Sequence, residues 1–193
     1  MTIPTLINKT DKQEYVSKLK KAYSTMTQAT NRIIAEEGSP KNWIQAGDID
    51  GVYTRYKKYL SVAKDCGTAT GCLNQFGSGS AGYKYLSGGG APNWNSSTDN
   101  RRLVLSDGMQ VIFHSNPLNN NCSFNAWGSL GICTVIFIDV NGEKGPNRYG
   151  RDYFVFALKE NGLYPVGCES AFCQGTAGDG CTCKVLRENA MNY

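Results

Sequence analysis

The chain has 193 residues, 40% of them hydrophobic, with 22 glycines and a formal net charge of +4, which is enough for one domain with its own core. Lys18, Lys20 and Lys21 fall in one region and Arg101 and Arg102 in another, with acids interspersed. No basic stripe forms, so nucleic acid is not an expected partner. No apolar run reaches the roughly 18 residues of a membrane span, and no signal-peptide pattern opens the chain.

Helical periodicity is under way within the opening MTIPTLINKTDKQEYVSKLKK, before any loop has preceded it. Between Asp11 and Glu37 the apolar residues Val16, Leu19, Tyr23, Met26, Ala29 and Ile33 recur at spacings of three or four, the stripe of an amphipathic helix. Thr10 or Asp11 could cap it, or Pro4 could stand in its first turn. Gly38 and Pro40 stop it. Counted from Pro4 it would be roughly 50 Å long at about 1.5 Å per residue, more than a domain of this size needs.

A second helix is expected over Asp48–Ala63, where Val52, Tyr56, Tyr59, Leu60 and Ala63 keep helical spacing. The Gly/Ser/Asn-rich stretch that follows reads as surface loop, and GSGSAGYKYLSGGG lacks the Gly-Lys-Ser/Thr of a phosphate-binding loop. From Arg101 the period becomes two. RRLVLSDGMQVIF predicts a hairpin with a type I′ turn at Asp107-Gly108. CTVIFIDV is apolar almost throughout, as central strands are, and DYFVFAL is the next strand. The order implies an α+β fold in which the long N-terminal helix lies on an antiparallel sheet. One domain is expected over 1–193: the N-terminal helix in 1–37, the second helix and irregular loop in 38–100, and sheet plus C-terminal disulfide region in 101–193.

Eight cysteines in a chain this rich in glycine predict disulfides and an oxidising compartment. Cys66–Cys72 and Cys122–Cys133 would close short loops. Cys181 and Cys183 stand too close to bond each other easily, which leaves them Cys173 and Cys168. A zinc site on the last four is the competing reading, but C-x₄-C with C-x-C is not the usual spacing.

Asp139, Asn141, Glu143, Asn147 and Asp152 gather oxygen side chains on one Gly/Pro-rich connection. Calcium takes six to eight oxygens on such a bendable loop. This is no EF-hand, since Lys144 stands where the turn glycine belongs and Gly150 where the bidentate acid belongs. The competing reading is a turn-rich connection whose Asn and Asp side chains satisfy backbone groups. The single histidine, His114, reads as a polar residue at a strand end, and no catalytic activity is expected.

TIPTLINKTDKQEYVSKLKKAYSTMTQA resembles the middle of the long first helix of bacterial type IV pilin-like proteins, the pilins and the pseudopilins of type II secretion. Ile3-Pro4 is similar to the family's mid-helix step. LVLSDGMQVIF looks like its Leu-x-Asp-Gly hairpin, IDVNGEKGPNRYGRDYFVF like a characteristic stretch of one subgroup, and CKVLRENAMNY like that subgroup's C-terminal strand. Residues 44–100 carry no match. The resemblance implies a structural subunit, anchored before assembly in the inner membrane through an apolar half-helix upstream of Thr2. It would sit at the bacterial cell surface or in the periplasm and pack through Val16, Leu19, Tyr23, Met26 and Ile33 into a homopolymer or with other pilin-like subunits. In some pseudopilins calcium orders the loop between the last strands, which implies calcium on Asp139, Asn141 and Asp152, with Glu143 and Asn147 as weaker members. The alternative is a minor pilin whose Tyr83, Tyr85, Trp94 and Trp127 contact glycan or DNA.

Overall fold

In the computed structural model, which describes residues 3–44, 49–73, 82–92, 94–115, 121–168, 173 and 176–193, the N-terminal stripe becomes one face of helix α1, Ile3–Glu37. Val16, Leu19, Met26 and Ile33 are each at most 1% exposed, and Ala22 and Ala29 complete the seam. Tyr23 is half-buried and stacks on Phe156 with ring centroids 5.8 Å apart. Gly38 ends the helix in the left-handed conformation, its N–H donating to Ile34 O at 3.0 Å.

Helix α2 covers Asp50–Tyr59 and is shorter than its periodicity predicts. Leu60 is extended (φ −104°, ψ 141°) and the chain enters strand β1, Val62–Gly67. Residues 38–100 are therefore not only helix and loop. The helical spacing ran on to Ala63, but pairing with the next strand satisfies the Val62–Gly67 backbone, and long-range pairing of this kind overrides local pattern. Gly51 has a steric reason: a Cβ there would stand 2.1 Å from Trp43 O. The two helices meet through the buried pair Thr30 Oγ1 and Tyr56 Oη, and Glu37 accepts ion pairs from Arg55 and Lys58.

The remaining strands are β2 (Arg101–Leu105), β3 (Gln110–His114), β4 (Phe124–Ala126), β5 (Ser129–Asp139), β6 (Tyr153–Lys159) and β7 (Gly162–Pro165). They form an antiparallel sheet in the order β1-β2-β3-β5-β6-β7, with β4 folded onto β5. The Asp107-Gly108 hairpin is confirmed, but its turn is not type I′. Only Gly108 has positive φ (87°), and Leu105 N–H donates to Met109 O across a three-residue loop. Asp107 also accepts an ion pair from Lys21 of α1 at 2.9 Å, so the hairpin tip is tied to the helix.

β5 lies between β3 and β6, and both its faces are covered. Ile136 and Ile138 join Leu103, Val111, Phe113, Phe154 and Phe156 in the core beneath α1. Val135 and Phe137 join Ile112, Tyr153 and Val155 in a second core on the opposite face. Residues 82–92 and 94–100 roof this second core, which corrects the reading of that stretch as surface loop. Tyr83 is 1% exposed and stacks on Tyr153, and Lys84 exchanges backbone hydrogen bonds with Asn147 and Tyr149. Leu86 and Ser87 donate to Ala177 and Thr176. The glycine-rich residues 77–81 lie outside the described residues.

The C-terminal segment is helix α3, Thr182–Glu188, where the resemblance implies a strand. Thr182, Cys183 and Val185 face inward, Lys184 and Arg187 do not, and Asn189 caps the end at φ 53°. The Thr182 hydroxyl accepts from Val155 N–H of β6 at 3.0 Å. Four disulfides, Cys66–Cys72, Cys122–Cys133, Cys168–Cys183 and Cys173–Cys181, use all eight cysteines in the pairs that the spacing suggested. They fit an oxidising extracellular or periplasmic location. Among the described residues no helix is long and apolar enough to cross a membrane.

Because Tyr83 fills the second core as fully as Met26 fills the first, truncating either should cost several kilocalories. In urea unfolding, Met26→Ala should lose about 2–5 kcal/mol and Tyr83→Ala about 3–5 kcal/mol. A near-neutral Tyr83→Ala would mean that residues 82–92 do not seal the sheet.

Candidate functional site: the Asp139–Asp152 connection and the aromatic layer

Asp139 ends β5 directly across from Gln110 on β3 and Tyr153 on β6. Its Oδ1 accepts from Asn141 N–H at 3.2 Å and Gly142 N–H at 3.0 Å, closing the first turn of the connection. Gly142 must be glycine here, since its φ is +66° and a Cβ would stand 2.3 Å from Gly108 O. Asp152 closes the second turn, accepting at 2.7 Å from both Asn147 N–H and Arg148 N–H. Both carboxylates are 0% exposed. Burial, and then the charge of Asp152, pushes the Asp139 carboxyl well above the usual range; burial pushes Asp152 up to about 6 against its backbone donors.

The structure thus brings Asp139, Asn141 and Asp152 together and leaves the other two predicted ligands apart from them in role. Glu143 is exposed at the turn, and Asn147 contributes its N–H from a left-handed backbone (φ 52°). Asn141 Nδ2 donates to Gly145 O at 2.9 Å, while its Oδ1 is buried without a partner. Among the described residues, no group of three or more His, Cys, Asp or Glu side chains stands close enough to hold a metal ion. Three of the four carboxylate oxygens already accept backbone N–H groups, so the geometry is that of two turn staples, and it supplies only part of the six to eight oxygens calcium needs.

The aromatic residues of residues 82–100 turn inward. Tyr85 stacks on Tyr149, and Trp94 Nε1 donates to Tyr149 Oη at 3.0 Å. Trp127 Nε1 donates to Asp179 Oδ2 at 2.7 Å. His114, at the end of β3, lies under Trp94 with ring centroids 4.3 Å apart. Its Nδ1 is 2.9 Å from Asn100 Oδ1, which also accepts from Ser115 N–H, so Nδ1 carries the proton. Burial lowers its pKa to about 4, so the ring is neutral at pH 7.

Asn100 and Arg102 organise this corner and were not singled out from the sequence. Both are 0% exposed. Asn100 Nδ2 donates to Trp94 O, and the Arg102 guanidinium donates to the carbonyls of Trp94, Ser97 and Asn100. The signal was present in Arg101-Arg102: on a strand of period two, one of two adjacent arginines must point inward. Arg101 pairs outward with Asp50, its Nε 2.5 Å from Oδ1. Val16, Leu19, Met26 and Ile33, the proposed assembly residues, are buried in the chain's own core. Comparison with protein-family profiles, characterised proteins and solved structures finds no match to this chain.

The buried histidine sets an acid sensitivity with a defined sign. The folded ring holds a pKa near 4 against an ordinary value of 6.5, so the unfolded chain takes up the proton first. The stability it contributes is complete above pH 6.5 and is lost as pH falls toward 4. Relative to His114→Gln, the unaltered chain should lose about 3 kcal/mol over that window. Parallel urea titrations of both proteins across it would detect this, and superimposable pH profiles would exclude it.

Proposed function

We propose that this chain is the water-facing part of a structural subunit of a type IV pilus or type II secretion pseudopilus at the bacterial cell surface. The observation that carries this reading is the relation between α1 and the sheet. α1 is one continuous element of 35 residues, and among the side chains described its first ties to the body are at Lys12 and Tyr15. Its later turns lay an unbroken apolar seam on an antiparallel sheet. A rod of 35 residues, roughly 50 Å long at about 1.5 Å per residue, is suited to packing against other rods. No catalytic group is needed for such a role.

The alternative, a minor pilin gripping glycan or DNA through Tyr83, Tyr85, Trp94 and Trp127, has less to support it. Three of these rings stack within the second core or hydrogen-bond to its tyrosines, and Trp127 is held by Asp179. Antibody raised to this chain, used on sheared surface filaments from the source cells, tests the structural role. Labelling along the filaments is expected. Detection only as a free, unassembled species would overturn it.

Calcium on Asp139, Asn141 and Asp152 is a separate proposal. Repulsion between two buried carboxylates supports it, since a cation would relieve that repulsion. The backbone N–H groups that already close on those oxygens count against it. Thermal melting with calcium and with a chelator separates the two: a higher Tm in calcium that Asp139→Ala abolishes would establish the ion, and identical curves would dismiss it.

A further inference from the structure

A cleft of about 380 Å³ opens where Lys18 of α1, the β2–β3 hairpin tip and the turn after β5 converge. That is within the size range of small-ligand sites, about 300 to 1,000 Å³. Two of its lining side chains are amides with an unusual deficit: Gln110 Oε1 and Asn141 Oδ1 are both buried and neither accepts a hydrogen bond. Gln110 is only 2% exposed. Buried acceptors are normally satisfied, so two unsatisfied ones lining one cleft point to a donor that comes from outside the chain. Terminal amide torsions are soft, so the Gln110 amide can turn its oxygen to the cleft, while Asn141 is held by its Nδ2 bond to Gly145 O at 2.9 Å.

The rest of the lining limits what that donor can be. Lys18, which also pairs with Glu14, and Lys144 bring two ammonium groups, and Glu143 and Asp107, which also pairs with Lys21, bring two carboxylates, so the charges balance and a bare ion of either sign is not favoured. Val104 and Val140 add a small apolar patch. A ligand here must donate to the Gln110 oxygen, accept from ammonium groups and lay C–H surface on the valines. Hydroxyl groups on a carbon ring do all three at once. We infer that this cleft is a binding site for a neutral polyhydroxyl ligand, a sugar unit of about one or two rings. It is distinct from the aromatic layer, and it does not depend on the filament role.

The test is amide NMR of the intact chain titrated with methyl glucosides, galactosides and mannosides and with N-acetylglucosamine. At least one of these sugars should give saturating shifts in the low millimolar range, confined to residues 104–110 and 140–144 and including the Gln110 side-chain amide. Gln110→Leu removes the unsatisfied oxygen while keeping the volume, so its melting temperature should hold or rise and binding should weaken about tenfold or more. Lys18→Met, on the accessible side of α1, should also weaken binding and serves if Gln110→Leu does not fold. The proposal is overturned if no sugar in the panel produces shifts there, if binding survives both substitutions, or if calcium or methylguanidinium gives those shifts in place of the sugars.

Discussion

β5 has apolar side chains on both faces and hydrogen-bonded neighbours on both edges. Ile136 and Ile138 point one way and Val135 and Phe137 the other, all at most 1% exposed. A strand of this kind cannot rest with one face in water, so it requires two separate covers. α1 supplies the first with a regular stripe. Residues 82–92 and 94–100, with Leu73 and Tyr149, supply the second with almost no regular structure, using rings and backbone hydrogen bonds instead. Much of what is distinctive here follows from that second, irregular cover: the buried Asn100 and Arg102, the stack of tyrosines, and the two carboxylates that turn the chain between β5 and β6.

The irregular cover explains why polar groups lie so deep in this molecule. A helix satisfies its own backbone, but a loop pressed on a sheet must find partners elsewhere. Arg102 answers three carbonyls of residues 94–100, and Asn100 answers both that loop and the end of β3. Asp139 and Asp152 each satisfy two N–H groups of the connection they bracket. Their role as turn staples and the candidate calcium role draw on the same oxygens, which is why the residue types alone could not separate the two.

The parts of the fold legible in the sequence were those with a strict period. The α1 seam, the β2–β3 hairpin, β5 and β6 all announce themselves through spacing. β1 was hidden because Ala63 continues the period of α2, and only a partner 35 or more residues away decides in favour of the strand. Family resemblance implies a strand where α3 forms, and its seven residues are too few to display a helical stripe. The second core could not be read at all, since its cover has no period. Tyr83 and Trp94 looked like exposed loop aromatics because nothing local distinguishes a ring that anchors from a ring that binds. Gln110 was invisible for a similar reason: an amide on a strand gives no sign that its oxygen will lack a partner.

The distribution of the cystines has a mechanical consequence. All four join residues 6 to 15 apart, and the first begins at Cys66. No covalent cross-link therefore fastens α1 or α2 to the body. Tension applied along the leading rod would be carried entirely by side-chain packing and by a few ties such as Lys21–Asp107, while the braced loops behind stayed intact. A subunit built in this way would yield by peeling its rod from the platform, and the platform could survive to receive it again.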